Sequence, residues 1–339
     1  MASHPIILLI EYSVESGFLD ISQLKNMSQV NFSTSSPVHV TQRELIALSG
    51  KAKIIPLEPN IIKSLQAGSY VSQFKGRGME FDESRPYQPG DDPRNIDWRV
   101  TARSNQAYTK LFREERERPV YIMTDLRSNM HFATQGSFKS VIASYSAACI
   151  SWAAHHRGDR LGGIIYGDSN CQEIKPKLGR QAALRYLHKL TDHPDWKTSF
   201  TENDSNQEIT LLNAIISLRK IVRPGSLVII VSDFLGFSQK SRSYLARLSQ
   251  YSDILAIFIN DPIEEKSPPP GKYRLIASKN DILIDTHSKQ ARNDYSNSFK
   301  LRRSILFEFF SRYGINYINM TTKCNPIESL ISSLKRKNK

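Results

Sequence analysis

PVYIMTDLRSN spans residues 119–129. Its first part, PVYIMTD, is an unbroken apolar run that closes on Asp125. A short run rich in β-branched and aromatic residues reads as a strand buried on both faces. A strand of that kind belongs to a parallel sheet, and its carboxyl end is where such sheets place their ligands. Asp125, Arg127 and Asn129 leave the run at that end.

Working outward, the same alternation recurs. SFKSVIASYSAACISWAAHHRGDR carries Phe138, Val141, Ile142, Tyr145, Cys149 and Trp152 at helical spacing and stops at Gly158. LGGIIYGDS (161–169) reads as a second strand, CQEIKP as a short partner strand and GRQAALRYLHKL as a helix. ITLLNAIISLRKIVRPGS (209–226) reads as a helix ended by Pro224-Gly225. LVIIVSD (227–233) is a third buried strand, ending on Asp233, and DILAIFIND (253–261) a fourth, with the helix KSRSYLARLSQYS between them. A hairpin turning near Lys279-Asn280-Asp281, a long helix through Tyr295 and Phe310, a strand INYINM and a helix NPIESLISSLKR complete the chain. Strands alternating with helices predict an α/β fold with a doubly wound, mostly parallel sheet. Neither GxGxxG nor GxxxxGK[ST] follows the first strand, so dinucleotide and P-loop chemistry lack their first requirement.

Composition fits a soluble globular chain of 339 residues, 40% hydrophobic and 23% charged. No apolar run approaches a bilayer span. The opening MASHPIILLIEYSVE has neither a basic lead nor a small-residue cleavage pattern, so a cytoplasmic protein is expected. Cys149, Cys171 and Cys324 are too far apart for a zinc knuckle and read as free thiols. The net charge of +13 is dispersed except for LKRKNK at 334–339, which is a weak sign of nucleic acid.

DLRSN after the first strand, Thr210, and Asp233 after a middle strand resemble the pattern of the von Willebrand factor A fold. There, an Asp, two hydroxyls, a Thr and a second Asp form a metal-ion-dependent adhesion site. Mg²⁺ wants oxygen ligands in an octahedral array. Here the two hydroxyl positions hold Arg127 and Asn129, and a guanidinium has no acceptor to offer a metal. Three readings stand. Arg127 supplies the positive charge itself by pairing with Asp125 or Asp233; or Asp125, Asn129 and Asp233 hold Mg²⁺; or Asp125 only caps the following loop. The expectation is a degenerate site (Asp125, Arg127, Asn129, Thr210, Asp233) with no metal or other cofactor.

Upstream, KGRGMEFDESRPYQPGDDPRNIDWRVTAR, followed by KLFREERERPVYIMTD, resembles the signature of a bacterial family labelled domain of unknown function 58. The matching positions are Gly76, Gly78, Glu80, Phe81, Arg85, Tyr87, Gly90, Asp91, Asp92, Arg94, Ile96, Asp97, Trp98 and Arg103. The resemblance covers about residues 42–335 and implies a von Willebrand factor A-like domain. It also implies a non-enzymatic adaptor of a MoxR-type AAA+ ATPase or of other von Willebrand factor A proteins, working in assembly or maturation of other proteins. It brings no catalytic residue with it.

Within that signature, Pro89-Gly90 and Asp92-Pro93 are turn chemistry. Its nearly balanced Asp and Arg residues read as an ion-paired scaffold around a buried aromatic, Trp98, or as an interaction surface, and RVTARSNQAYTKLF as strand-like. The predicted organisation is a poorly defined extension at 1–44, a small β-rich element at 45–117 and the α/β domain at 118–335. His155, His156, His188 and His193 lie near helix ends and read as surface or capping residues. A metal-dependent hydrolase and a basic nucleic-acid binder are the alternative functions.

Overall fold

The computed structural model describes residues 36–57, 71–72, 79–104, 106–114, 118–197, 207–276 and 281–335. Gly76 and Gly78 of the signature, and the tip of the 272–285 hairpin, lie outside them. The chain divides into two compact units, Lys63–Arg118 and a larger one joining Met1–Ile62 to Pro119–Lys339.

In the small unit, β1 (Val71–Ser72) and β2 (Met79–Pro86) flank β3 (Tyr108–Glu114), both antiparallel to it. Register runs from Met79 opposite Glu114 to Pro86 opposite Tyr108, with a bulge between Phe81 and Glu83. The signature loop connects β2 to β3. The expected strand-like run at 99–112 begins instead as a helical turn, Trp98–Thr101, because the Asp97 carboxylate accepts the Arg99 and Val100 N–H groups and caps it.

The larger unit opens with α1 (Gln42–Ala47), started by a capping box between Thr41 and Glu44. It continues through β4 (Val120–Asp125), α2 (Lys139–Arg157), β5 (Leu161–Tyr166), β6 (Cys171–Lys177), α3 (Arg180–Thr191) and α4 (Gln207–Ile221). Then come β7 (Leu227–Ser232), α5 (Gln239–Leu248), β8 (Asp253–Asn260), the hairpin β9 (Lys272–Ile276) and β10 (Asp281–Asp285), α6 (Lys289–Arg312), β11 (Asn316–Thr321) and α7 (Pro326–Lys335). The six-stranded sheet has the order β11-β8-β7-β4-β5-β6, and only the β5–β6 pairing is antiparallel. It is the expected von Willebrand factor A-like arrangement.

Alternate residues of the central strands feed two cores. Val120 and Ile122 join Leu45, Trp152, Leu187 and Leu330 from α1, α2, α3 and α7. Tyr121 and Met123 join Leu211, Leu245 and Phe310 from α4, α5 and α6. Each fully buried large aliphatic side chain contributes about 1.5–3 kcal/mol, which is why a run such as VYIMTD cannot settle elsewhere. The strand LGGIIY needs its glycines: a Cβ on Gly163, at φ +153°, would lie 1.9 Å from the Ile122 carbonyl oxygen.

The expected boundary at residue 45 moves. Residues 36–57 belong to the larger unit: Val40, Leu45, Ala52 and Leu57 are buried in its core, and Trp152 Nε1 donates to the Leu45 carbonyl at 2.9 Å. Among the described residues no helix is long and apolar enough to cross a membrane.

Candidate functional site

Because β4, β7 and β8 run parallel, their carboxyl ends share one edge, and an aspartate stands at each: Asp125, Asp233 and Asp261. The first two are joined through Arg127. Its Nε donates to Asp125 Oδ1 at 3.0 Å and its Nη2 to Asp125 Oδ2 at 2.7 Å, a bidentate pair with both side chains fully buried. Nη2 also lies 3.8 Å from Asp233 Oδ1. Nη1 donates to the carbonyl oxygens of Gln207 (2.9 Å) and Leu235 (3.0 Å), which ties in the start of α4 and the β7–α5 loop. The guanidinium carbon sits 5.4 Å from the Tyr166 ring centre. Ser232 Oγ donates to Asp125 Oδ2 at 2.6 Å and accepts from the Phe234 N–H, fixing Phe234 at φ 53°.

Asp233 has its own cation. Lys139, the first residue of α2, donates from Nζ to Asp233 Oδ2 at 2.7 Å and to Glu264 Oε1 at 3.0 Å. Asn129 Nδ2 reaches both Asp233 oxygens at 2.8 Å, and the Leu235 N–H adds a bond at 2.9 Å. Burial alone would raise the Asp233 pKa, but Lys139 and then Arg127 outweigh it and hold the carboxyl at about 2. Burial disfavours the Lys139 and Arg127 charges too, yet the facing carboxylates push both pKa values above the ordinary range.

The third aspartate, Asp261, accepts from the Thr134 N–H and hydroxyl, the Thr322 hydroxyl (2.8 Å) and the Ile263 N–H (2.9 Å). It thereby clamps the loops that follow β4, β8 and β11. Asp168, on the β5–β6 turn, accepts from the Ser128 N–H at 2.8 Å. The loops at this edge are therefore cross-linked by three buried carboxylates, Asp125, Asp233 and Asp261, and by the half-buried Asp168.

This donor set does not suit Mg²⁺. Asp125 spends both oxygens on Arg127 and Ser232, and Asp233 spends both on Lys139, Asn129 and a backbone N–H. Asn129 Oδ1 is a buried acceptor without a partner, but one oxygen is far from an octahedral shell. The described residues contain no metal-binding group of three or more His, Cys, Asp or Glu.

Asp125, Arg127, Asn129 and Asp233 thus gather as the sequence suggested, but not as a contact surface: Arg127 and Asp125 are 0% exposed and Asp233 is 2% exposed. Charges so placed shape the rim from beneath. Thr210 lies half-buried in the first turn of α4, the helix that reaches Arg127 through the Gln207 carbonyl. Lys139, Ser232 and Glu264 escaped sequence reasoning. Lys139 carried a signal: a cation in the first turn of a helix opposes the helix dipole and needs an anion nearby.

The signature loop is built differently from the ion-paired scaffold expected. Arg85 Nη2 pairs with Asp91 Oδ1 at 2.7 Å, and Asp91 Oδ2 accepts the Gln88 N–H at 2.9 Å. Tyr87 donates to the Asp91 carbonyl, Gly90 turns at φ +110°, and Asp92 accepts the Arg94 N–H. Asp97 also accepts from the Ser84 hydroxyl at 3.1 Å. The Gln88 N–H holds the Asp91 carboxyl below its ordinary range against burial; at Asp97 burial is outweighed by the Val100 and Ser84 donors. With the acids turned inward, Arg94, Arg99 and Arg103 are exposed and form no ion pair among the described residues. Trp98 is no buried anchor: it is 70% exposed.

Of the histidines, His193 caps the turn Pro194–Trp196 and is buried, while His188 is exposed and 3.9 Å from Asp192. His156 reaches the Ser49 carbonyl at 2.9 Å.

The chain is 28% identical over 256 residues to uncharacterized proteins of Mycobacterium tuberculosis and Mycobacterium bovis, covering 75% of this chain and 78% of theirs. Among solved structures, the conserved hypothetical protein BatB from Bacteroides thetaiotaomicron matches with a TM-score of 0.39 at 12% identity, over 65% of this chain and 98% of that one. The SpRpn10 VWA domain matches with a TM-score of 0.34 at 11% identity, over 64% and 94%. The family model described as "Protein of unknown function DUF58" matches residues 83–304, close to two thirds of the sequence and including most of the signature loop, and the chain belongs to that family.

Proposed function

We propose that the protein is a non-enzymatic, cytoplasmic adaptor that binds a MoxR-type AAA+ ATPase, or another von Willebrand factor A protein, through the strand-end rim of its α/β unit. The observation that carries this reading is the sealed cluster of Asp125–Arg127 and Asp233–Lys139. An acid–base pair for catalysis needs two groups with pKa values set apart and reachable by substrate. Here each carboxylate is already neutralised by a buried cation, and a bound metal is replaced by a guanidinium and an ammonium. Such a cluster gives the rim a fixed shape, which is what a docking surface requires. Exposed Trp98, on a loop whose turns are locked by Asp91 and Asp97, supports a second contact from the small unit, since tryptophan and arginine are the commonest interface anchors.

Binding of the purified chain to the ATPase, followed by calorimetry, tests the reading. Ser169→Arg on the exposed β5–β6 turn and Trp98→Ala leave the buried cluster untouched. Tight wild-type association weakened by about tenfold or more in either variant supports it. Absence of association with both partners, or hydrolytic turnover lost on substituting the rim, overturns it.

A further inference from the structure

Beside Asp233, the β7–α5 loop, the first turn of α5 and the middle of α6 enclose a cleft of about 270 Å³. Phe234, Phe237, Phe258 and Leu306 form its apolar wall, and Arg242 and Arg302 stand in it. Arg242 lies over the Phe237 ring at 5.8 Å and Arg302 over the Phe299 ring at 5.3 Å, and neither forms an ion pair among the described residues. The third arginine of the cleft, Arg303, is committed to Glu265 at 2.9 Å, and Asp233 to Lys139 at 2.7 Å. The remaining lining carboxylate, Glu208, is exposed. Arg242 Nε is fully buried with no hydrogen-bond partner among the described residues. A buried donor left unpaired costs about 1–3 kcal/mol, so an acceptor that reaches this guanidinium is favoured.

We infer that this cleft is a peptide-binding site that seats an aromatic or large aliphatic side chain next to a carboxylate: an acidic-hydrophobic segment of a partner protein. The apolar wall takes the side chain, and the Arg242 and Arg302 guanidinia take the carboxylate. Planar guanidinia suit a carboxylate better than ammonium groups would, because their donors are fixed in a fork. The volume matches one or two side chains and falls below the roughly 300–1,000 Å³ of dedicated small-molecule pockets. The inference rests on the reading of the protein as a binding module and names what one of its surfaces recognises.

Fluorescence anisotropy with a fluorescein-labelled peptide Gly-Ser-Phe-Asp-Ser-Gly tests it, alongside the same peptide with Asn for Asp and with Ala for Phe. Wild-type protein is expected to bind the Phe-Asp peptide at least about tenfold more tightly than either analogue. Arg242→Gln and Arg302→Gln are each expected to remove that preference, with circular dichroism confirming that both variants stay folded. Arg242→Lys keeps the charge and is expected to recover part of the affinity. Equal binding of the three peptides, unchanged affinity in both glutamine variants, or displacement of the peptide by an equal concentration of single-stranded oligonucleotide overturns the assignment. If Arg242→Gln loses the peptide but still binds the ATPase, the cleft serves another partner and the ATPase reading stands. If it keeps the peptide preference while no ATPase association is found, the ATPase reading falls alone.

Discussion

Arg127 and Asp125 meet in a bidentate pair, 3.0 Å from Nε to Oδ1 and 2.7 Å from Nη2 to Oδ2, with neither side chain reaching solvent. Two residues apart in the chain, they close the loop after β4 on itself, and Nη1 then binds two neighbouring loops through the Gln207 and Leu235 carbonyls. Removing one member of a buried pair leaves the other charged in a dry site. Arg127→Ala is therefore expected to lower unfolding stability by about 3–5 kcal/mol in urea titrations. The double substitution Arg127→Met with Asp125→Asn removes both charges and should recover part of that loss. A double variant as unstable as the single one would mean that the carbonyl contacts, not the ion pair, hold the rim.

The pattern of what the sequence foretold follows from range. β4, β7 and β8 were legible because burial on both faces writes itself into consecutive residues. Asp125 and Asp233 were legible as rim residues because a strand's carboxyl end is a property of the strand. Arg127 could be read against a metal because a guanidinium lacks acceptors wherever it sits. The bond between Lys139 and Asp233, 94 positions apart, had no local trace except a cation at a helix start. The exposure of Trp98 is not legible in the sequence because it depends on the path of the loop, which Asp97 diverts into a helical turn. The helices at 42–47 and 49–52 are hard to read from sequence because they are only six and four residues long, although Thr41 and Glu44 spell a capping box.

A metal should be indifferent to this rim. Adding Mg²⁺ or Mn²⁺ in millimolar amounts is expected to leave the thermal midpoint within about 1 °C, since a ligand stabilises only in proportion to its occupancy of the folded state. Arg127→Ser frees both Asp125 oxygens from the guanidinium, and a metal-dependent rise in its midpoint would show that the arginine occupies the cation's place. Stabilisation of the unsubstituted protein by either ion would mean that the ion-pair geometry yields to metal.

Acid should act on Asp233 through Lys139. The folded carboxyl titrates at about 2, below its ordinary 3.8. A depressed carboxylate contributes stability that is present above the unfolded value and is lost as pH falls through the folded one. The shift corresponds to about 2 kcal/mol, lost between about pH 4 and pH 2. Lys139→Met removes the foremost charge opposing burial, so the Asp233 pKa should rise and the acid loss should begin at a higher pH. Denaturant midpoints measured across that window distinguish the two proteins; coincident acid profiles would mean that Lys139 does not set the Asp233 charge.

His131 and His193 produce a separate, earlier step. Burial pushes both from 6.5 to about 4, against a Leu126 carbonyl bond and the Asp168 and Asp125 charges in the case of His131. Below pH 6.5 the unfolded chain binds protons that the folded one refuses, so stability should decline from there to about pH 4 and then level. Each ring contributes about 3 kcal/mol to that decline at most. His131→Gln should flatten the slope by about half while leaving the Asp233 step in place, as followed by urea midpoints at pH 7, 5.5 and 4.5. An unaltered slope would place the proton uptake on other groups.

Trp98 gives the small unit a spectroscopic handle. Of the three tryptophans, Trp152 is fully buried, with Nε1 bonded to the Leu45 carbonyl, and Trp196 packs against the core with Nε1 on the Leu190 carbonyl. Trp98 alone is largely in water, so it should supply most of the red-shifted, acrylamide-quenchable emission. Trp98→Phe is expected to remove that component while changing stability by no more than about 0.5 kcal/mol, as for an exposed side chain without structural bonds. When a partner binds through this loop, the indole leaves water, so wild-type emission should shift to the blue and lose its quenching while the variant's spectrum stays fixed. Emission that remains quenchable in a saturated complex would place the partner's contact elsewhere and leave Trp98 without a role in it.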